Sequence, residues 1–256
     1  MPWRPWEDVL ALVELAAPSE CAGCGRPGLL WCGPCDRELR GAAPRRWTPT
    51  PSPPGLPPTW AGPAYEGVVR QAVVAWKDAD RADLTAVLAP VLRRALTAAL
   101  AGAPEHRAEL AAGRPVPVLP APSARASTRR RGEHRVRALA EAALGLPRSR
   151  VPVLDGLVLA RTVADQAGLR AAERARNLRG AVRVRDGVRE RLRGRPCVLV
   201  DDVITTGATL QECARALREA GSGTVVAVAL AATRRHAADR PGDSRRSPFQ
   251  FLGRAD

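Results

Sequence analysis

Apolar positions from Tyr65 onward alternate between helical spacing and short continuous runs. Four stretches have the spacing of one buried helix face. The apolar positions of the first are Val69, Ala72, Val73 and Trp76, and those of the third are Val136, Leu139, Ala140 and Ala143. Those of the second are Leu84, Val87, Leu88, Val91, Leu92, Ala95, Leu96 and Leu100. The fourth predicted helix covers Leu210–Ala220.

Short apolar runs elsewhere have the length and residue types of buried strands. They are Pro115–Leu119, a strand within Val153–Leu159, a short strand at Ala181–Val184, Val198–Val200 and Thr224–Leu230. Strands and helices in repeated order favour a mostly parallel sheet that is covered on both faces. The pattern therefore predicts an α/β fold with a doubly wound, mostly parallel sheet.

Composition divides the chain into four parts. Residues 1–45 contain four of the six cysteines, and we expect a small zinc-binding module there. Residues 46–63 are Pro-rich and are predicted to be an extended linker without a core of its own. Residues 64–233 carry the α/β pattern, and residues 234–256, rich in Arg, Asp, Gly and Pro, are predicted to be a flexible basic tail.

The first four cysteines form two CxxC pairs, Cys21 with Cys24 and Cys32 with Cys35. Each pair can chelate a metal from one tight turn, and two pairs complete a tetrahedral thiolate site. Disulfides are disfavoured in a reducing cytoplasm, and an iron–sulfur cluster is a further alternative. The paired spacing favours structural zinc, which would fold a segment too small to stabilise itself.

The segment Val198–Leu210 combines features of a phosphate site. A buried strand leads into Asp201 and Asp202, then into a turn rich in hydroxyl groups and a helix. The start of a helix offers backbone N–H groups without helical partners and the positive end of its dipole, which suit an anion. The loop residues predicted to bind the phosphate are Val203, Ile204, Thr205, Thr206, Gly207, Ala208 and Thr209.

The two acids would lie at the carboxyl end of their strand, where open α/β sheets bind ligands. There they would accept hydrogen bonds from a ribose diol and help to organise a Mg²⁺ ion. A Walker loop does not fit, because GxxxxGK[ST] is absent from this segment. A capped strand followed by a capped helix, with no ligand, would explain only part of the pattern.

The net charge of +14 favours polyanionic partners, namely phosphates, pyrophosphate or nucleic acid. Lys77 is the sole lysine among 40 basic residues, which suggests a site where a compact ammonium is preferred to a guanidinium. No apolar run reaches the roughly 18 residues that a membrane span needs, and acidic residues interrupt the N-terminal apolar stretch. We therefore expect neither a signal peptide nor a membrane span, and a cytoplasmic location.

VLVDDVITTGAT at Val198–Thr209 resembles the phosphoribosyl pyrophosphate signature of type I phosphoribosyltransferases. The chain as a whole resembles the ComF family, because several further motifs match between about residues 20 and 233. These motifs are the CxxC pairs, Tyr65-Glu-Gly, Lys77, Arg131-Gly132, and Arg161-Thr…Gln166…Arg174…Asn177-Leu-Arg-Gly-Ala181.

The resemblance implies that the protein binds phosphoribosyl pyrophosphate and Mg²⁺ and transfers the ribose phosphate to an acceptor that the sequence does not name. It implies a pyrophosphate loop at Pro120–Arg131 and a mobile hood at Arg161–Asn177. Arg161, Arg174 and Arg176 would contact pyrophosphate or substrate. Asp201, Asp202, Lys77, Arg161 and Arg174 are therefore the candidate catalytic residues. Arg131-Gly-Glu-His-Arg135 departs from the family pattern, which has an aromatic residue, Asn and Gln after RG.

A second hypothesis belongs to another functional class. The resemblance also implies a link to DNA uptake in natural competence, so the protein would be an accessory that handles single-stranded DNA and keeps the fold for binding. The zinc module, the positive charge and the Arg-rich tail would serve that role. The sequence does not indicate an oligomeric state.

Overall fold

The computed structural model describes residues 20–79, 81–122, 134–145, 151–160 and 178–234. Within these ranges the helices are α1 (Gly33–Gly41), α2 (Gly67–Asp78), α3 (Leu84–Gly102), α4 (Pro104–Ala111), α5 (Arg135–Leu144), α6 (Asp186–Leu192) and α7 (Ala208–Glu219). The strands are β1 (Arg45–Arg46), β2 (Thr59–Ala61), β3 (Val118–Pro120), β4 (Leu157–Leu159), β5 (Val182–Val184), β6 (Cys197–Ile204) and β7 (Val225–Ala232).

Five of the strands form a central sheet in the order β1-β2-β7-β6-β3. Strands β2, β7, β6 and β3 are parallel, and β1 joins the edge antiparallel to β2. Strands β4 and β5 form a separate antiparallel pair. The fold is thus mixed α/β with a mostly parallel central sheet, which agrees with the fold class that the strand and helix pattern predicts.

Side chains of the sheet pack into two buried clusters, one on each face. Val198 and Val200 of β6 belong to the cluster formed with α2, α3 and α5. Cys197 and Leu199 of the same strand belong to the cluster formed with α7, β4 and β5. Because successive residues of a strand point to opposite faces, β6 contributes to both cores, and the site at its carboxyl end lies between two layers of helices.

Helix α3 is long and apolar enough to cross a membrane by length and composition. It packs instead as the main helix of the first face, where Leu88, Leu92 and Leu96 are almost fully buried. On its exposed side Arg93 donates from Nε to the carbonyl of Ala143 at 2.6 Å, and Arg94 donates to the carbonyl of Arg40 at 2.5 Å. We interpret α3 as a core helix of the α/β domain.

The Pro-rich segment differs from a linker without a core. Its last residues form β2, which pairs with β7 inside the central sheet. Trp60 of β2 is 7% exposed, and the guanidinium carbon of Arg46 lies 5.2 Å from the centre of its ring. A strand of three residues is too short to show an apolar period, and the linker was predicted from its Pro-rich composition alone.

Two histidines in polar parts of the sequence make specific contacts in the fold. His106 lies on α4 and is fully buried, with Nε2 3.0 Å from the carbonyl oxygen of Cys197. His134 is the N-cap of α5, and its Nδ1 accepts a hydrogen bond from the backbone N–H of Arg137 at 3.2 Å. His106 therefore has a structural contact at the first residue of β6, and His134 has one at the start of α5.

Candidate functional site

The two neighbouring carboxylates of β6 point in different directions. Asp202 is 7% exposed, and its Oδ2 lies 2.6 Å from the Nζ of Lys77 on α2. Asp201 is half-buried and lines a small cavity at the start of α7. The carboxyl end of the strand therefore presents one acid that is already paired with a cation and one that faces the predicted phosphate loop.

Backbone hydrogen bonds fix both acids. Asp201 Oδ1 accepts the N–H of Asp202 at 2.9 Å, and Asp202 Oδ1 accepts the N–H of Val203 at 2.7 Å. Each carboxylate thus keeps one oxygen tied to the strand, and its second oxygen can face a ligand or a cation. Charge-assisted bonds of this kind are the stronger class of hydrogen bond.

The pKa values in this cluster follow from burial and from mutual charge. Burial, together with repulsion from Asp202, raises the pKa of Asp201 to about 7, although Lys77 and a backbone N–H act in the opposite direction. Burial by itself would lower the pKa of Lys77, but the attraction of Asp202 outweighs it and raises that pKa. Lys77 is therefore a persistent cation, and Asp201 is a carboxyl group that titrates near neutral pH.

The loop from Thr205 to Gly207 joins β6 to α7 through a sharp turn. Gly207 is in the left-handed region, at φ +79°, and its carbonyl accepts the N–H of Gln211 at 2.9 Å, which is the first helical bond. Thr206 Oγ1 accepts the N–H of Ala208 at 3.4 Å. A cavity of about 70 Å³ is enclosed by Asp201 and residues 203–210. The start of α7 opens onto this cavity, so the helix terminus and the hydroxyl-rich turn have the features of an anion site, and this candidate site is called the anion site below.

A larger cavity of about 790 Å³ begins at the same loop and follows the exposed side of α7. Thr206 and Ala208 line both cavities. The opposite wall is the Pro-rich segment between Pro49 and Gly55. Cavities that hold small organic ligands have volumes of roughly 300–1,000 Å³, so the anion site adjoins a space of that size.

The structure brings together most of the residues that the sequence singles out. Asp201, Asp202 and the loop from Val203 to Thr209 surround the carboxyl end of β6, and Lys77 reaches them from α2. Arg161 and Arg174 lie outside the described residues, as do the whole hood and all but the first three residues of the predicted pyrophosphate loop. Sequence reasoning missed Leu56, which lies against Gly207 from the Pro-rich segment.

The four cysteines of the CxxC pairs converge at one point. Their sulfur atoms all lie within 4.8 Å of one another, with 3.8 Å between Cys21 and Cys35 and 3.7 Å between Cys24 and Cys32. Four sulfurs bound to zinc at 2.3 Å would be about 3.8 Å apart, so the arrangement fits a tetrahedral zinc site. All six cysteines of the chain lie among the described residues and none is in a disulfide.

Local contacts lower the pKa of one thiol of the cluster, whereas burial and the neighbouring thiols raise the pKa of Cys35, and further contacts attach the cluster to the α/β domain. Burial opposes ionisation of Cys21, but N–H groups of Gly23, Cys24 and Cys32 outweigh it and lower the pKa of this thiol to about 6. Val68 of α2 packs against the cluster, and Leu39 of α1 is fully buried in the core of the first face. The cysteine module therefore shares a core with the domain that carries the anion site.

Comparison with known proteins agrees with the geometry. Residues 154–247 match the family model of the phosphoribosyl transferase domain, and this range includes β6, the loop and α7. A search of curated proteins found no match. The family match supports the type I phosphoribosyltransferase superfamily for this chain, and with it a phosphoribosyltransferase type of activity on a ribose phosphate at that general level.

Proposed function

We propose that this protein is a ComF-like phosphoribosyltransferase that binds phosphoribosyl pyrophosphate, or a closely related ribose phosphate, together with Mg²⁺. The observation that carries the proposal is that two carboxylates at the end of β6 are followed directly in the chain by the candidate anion site at the start of α7. Lys77 supports the proposal further, because this sole lysine of the chain forms an ion pair with Asp202. The acceptor is not specified by any of these features.

Each part of the site has a role in this proposal. Thr205–Thr209 hold the 5-phosphate through backbone N–H groups and hydroxyls, and Asp201 and Asp202 accept hydrogen bonds from the ribose hydroxyls. Lys77 keeps Asp202 in place and adds positive charge beside the sugar. We assign Arg161 and Arg174 to the pyrophosphate on the basis of the family resemblance alone.

In the proposed reaction the acceptor forms a bond to the anomeric carbon while the bond from that carbon to pyrophosphate breaks. The electron pair leaves with pyrophosphate, and the acceptor passes its proton to solvent water. Positive charge near the leaving group favours this step because charge develops there in the transition state. Mg²⁺ would supply part of that charge. Asp201 is the carboxylate that lines the cavity at the start of α7, where the 5-phosphate is proposed to bind.

Calorimetric titration with phosphoribosyl pyrophosphate, with and without Mg²⁺, tests the proposal. We expect binding to the wild-type chain and a loss of at least about tenfold in affinity in Asp201→Asn and in Asp202→Asn, since each replaces an oxygen that accepts a hydrogen bond with an NH2 group. Asp186→Asn is the matched control, because that side chain is 92% exposed on α6. Release of pyrophosphate in the presence of a panel of amines and bases would then identify the acceptor. If the wild type does not bind phosphoribosyl pyrophosphate with Mg²⁺, the proposal is wrong.

Exposed arginines near the cysteine module favour a second function of another class, the handling of single-stranded DNA. Arg26, Arg37 and Arg45 are all exposed in this part of the chain. If they contact phosphates, the affinity for single-stranded DNA should fall steeply with salt. The double variant Arg26→Ala/Arg37→Ala should then reduce the slope of log affinity against log salt by about 1.4. A slope that does not change would exclude these arginines from DNA binding.

A further inference from the structure

The Pro-rich segment between β1 and β2, residues 47–58, lies along α7 and is called the strap here. Gln211 donates from Nε2 to the carbonyl of Pro54 at 2.7 Å, and Arg218 donates from Nη1 to the carbonyl of Gly55 at 2.9 Å. These two α7 residues are seven positions apart but bond to the carbonyls of adjacent residues, so the strap is held to α7 at Pro54 and Gly55. It is therefore fixed to the same helix whose start forms the anion site.

The strap turns back on itself just before it reaches the loop. Gly55 has a φ of +80°, and the N–H of Leu56 donates to the carbonyl of Pro53 at 3.2 Å. This turn directs the side chain of Leu56 into the second core cluster, where it packs as a partly buried residue together with Trp47.

Leu56 lies beside Gly207, the glycine of the loop, whose backbone has the left-handed conformation. A Cβ atom placed on Gly207 would lie 3.1 Å from Leu56 Cδ1 and 3.7 Å from Pro49 Cγ. The strap thus occupies the side of Gly207 where other residues carry a side chain. Glycine has the widest choice of backbone conformations, so the surroundings of Gly207 matter for the conformation that the loop adopts.

We propose that Leu56 is a positioning residue of the anion site, which holds Gly207 in the conformation that directs the loop N–H groups toward a phosphate. The proposal rests on the function proposed above for this loop. Leu56 itself does not touch the phosphate; it acts through Gly207, and it lowers the cost of ordering the loop when the anion binds. Such preorganisation increases affinity without any new contact to the ligand.

Leu56→Ala tests this role, with inorganic phosphate and phosphoribosyl pyrophosphate as the two probes. We expect the dissociation constant of both probes to rise about fivefold, and the amide protons of residues 205–209 to exchange faster in the absence of ligand. Leu56→Met should restore most of the affinity, because it conserves the volume of the side chain.

Leu192→Ala is the matched control. Leu192 is fully buried in the same core cluster, but it is not among the residues that line the anion site. It should destabilise the fold without changing either the dissociation constants or the exchange of the loop amides. If Leu56→Ala behaves like Leu192→Ala in both measurements, Leu56 is only a core residue and the proposal is wrong.

Failure of the proposed function would give a different result. In that case the wild-type chain binds neither probe. The effect of Leu56 on the loop would still be measured by the amide exchange of residues 205–209. Slow exchange that accelerates in Leu56→Ala supports the positioning of Gly207, and exchange that does not change overturns it.

Discussion

Lys77 on α2 and Asp202 at the end of β6 are 125 positions apart in the sequence, yet their Nζ and Oδ2 atoms lie 2.6 Å apart. The lysine side chain is 45% exposed, whereas that of Asp202 is only 9% exposed. The pair therefore connects a partly exposed lysine side chain to a carboxylate that water hardly reaches. It also fixes α2 against the strand end from which the anion site begins.

Replacement of Lys77 by glutamine should leave the buried carboxylate of Asp202 without its cation. We expect the free energy of unfolding to fall by about 1–2 kcal/mol, less than for a fully buried pair because the lysine is partly solvated. Urea denaturation at neutral pH measures this change. Arg114→Gln is the control, since its pair with Glu109 involves a guanidinium that is 60% exposed, and we expect a clearly smaller loss there. Equal losses in the two variants would contradict a special role for the Lys77 pair.

Asp201 should make the stability of the protein depend on pH in an unusual direction. Burial, together with repulsion from Asp202, raises its pKa to about 7, compared with about 3.9 in an unfolded chain. The folded state therefore retains a proton that the unfolded state releases. The stabilising contribution of this group is complete below about pH 4 and is lost as the pH rises to about 7.

The variant Asp201→Asn removes this titration and gives the test. The free energy of unfolding of the variant relative to wild type should increase between about pH 4 and 7, by at most about 1.4 kcal/mol per pH unit, and should level off above pH 7. Urea denaturation at intervals of one pH unit measures the difference. A difference that stays constant across this range would mean that the pKa of Asp201 is not raised.

Local sequence patterns were sufficient to predict strand β6 and helix α7, between which the candidate site lies. Strand β6, the loop and α7 are contiguous in the chain, so a buried run, twin acids, small hydroxyl residues and an amphipathic helix could be recognised together. The observed strand extends beyond Val200 to Ile204, because Asp201, Val203 and Ile204 also pair with residues of β7. Lys77 could be selected only because it is the sole lysine; no local pattern could have located Asp202 as its partner.

The contribution of the strap was not predictable from local patterns. Proline-rich composition indicates an extended segment, but it indicates neither the turn at Gly55 nor what the segment contacts. Leu56 is a single leucine among prolines and has no apolar period around it. Its contact with Gly207 depends on the order of strands in the sheet, which places β2 beside β7 and brings residues 47–58 over α7.

Gly207→Ala should be more harmful than the same change at another left-handed glycine. Gly207 has a φ of +79°, and a Cβ atom placed on it would lie 3.1 Å from Leu56 Cδ1. Gly221 has a φ of +85°, and a Cβ atom placed on it would have no other atom within 4 Å. Alanine at Gly221 should cost about 1 kcal/mol for the backbone conformation alone. At Gly207 we expect about 1 kcal/mol more, because Leu56 must move. Thermal or urea unfolding of both variants measures this difference.

The double variant Gly207→Ala/Leu56→Ala separates the contact from the backbone strain. If Leu56 causes the additional cost, the penalty of Gly207→Ala in the Leu56→Ala background should fall to that of Gly221→Ala. Independent, additive effects of the two substitutions would show that the leucine does not restrain the glycine.

Purified protein should contain one zinc ion per chain, bound by Cys21, Cys24, Cys32 and Cys35. Elemental analysis measures the content, and the absence of visible absorption distinguishes zinc from an iron–sulfur cluster. Cys35→Ser removes a buried ligand and should abolish stoichiometric zinc. Cys213→Ala, which alters a buried cysteine of α7 in the second core, should retain it.

Loss of zinc should destabilise the whole α/β domain and not only the cysteine module. Leu39 of α1 is fully buried in the core that α2 and α3 form, and Arg94 of α3 donates to the carbonyls of Arg40 and Ala42 at the end of the same helix. When the metal no longer holds α1, this part of the core becomes exposed. We therefore expect the melting temperature of the main transition to fall by several degrees in Cys35→Ser and in protein treated with a chelator. An unchanged main transition, with only a separate loss at low temperature, would show that the module folds independently of the domain.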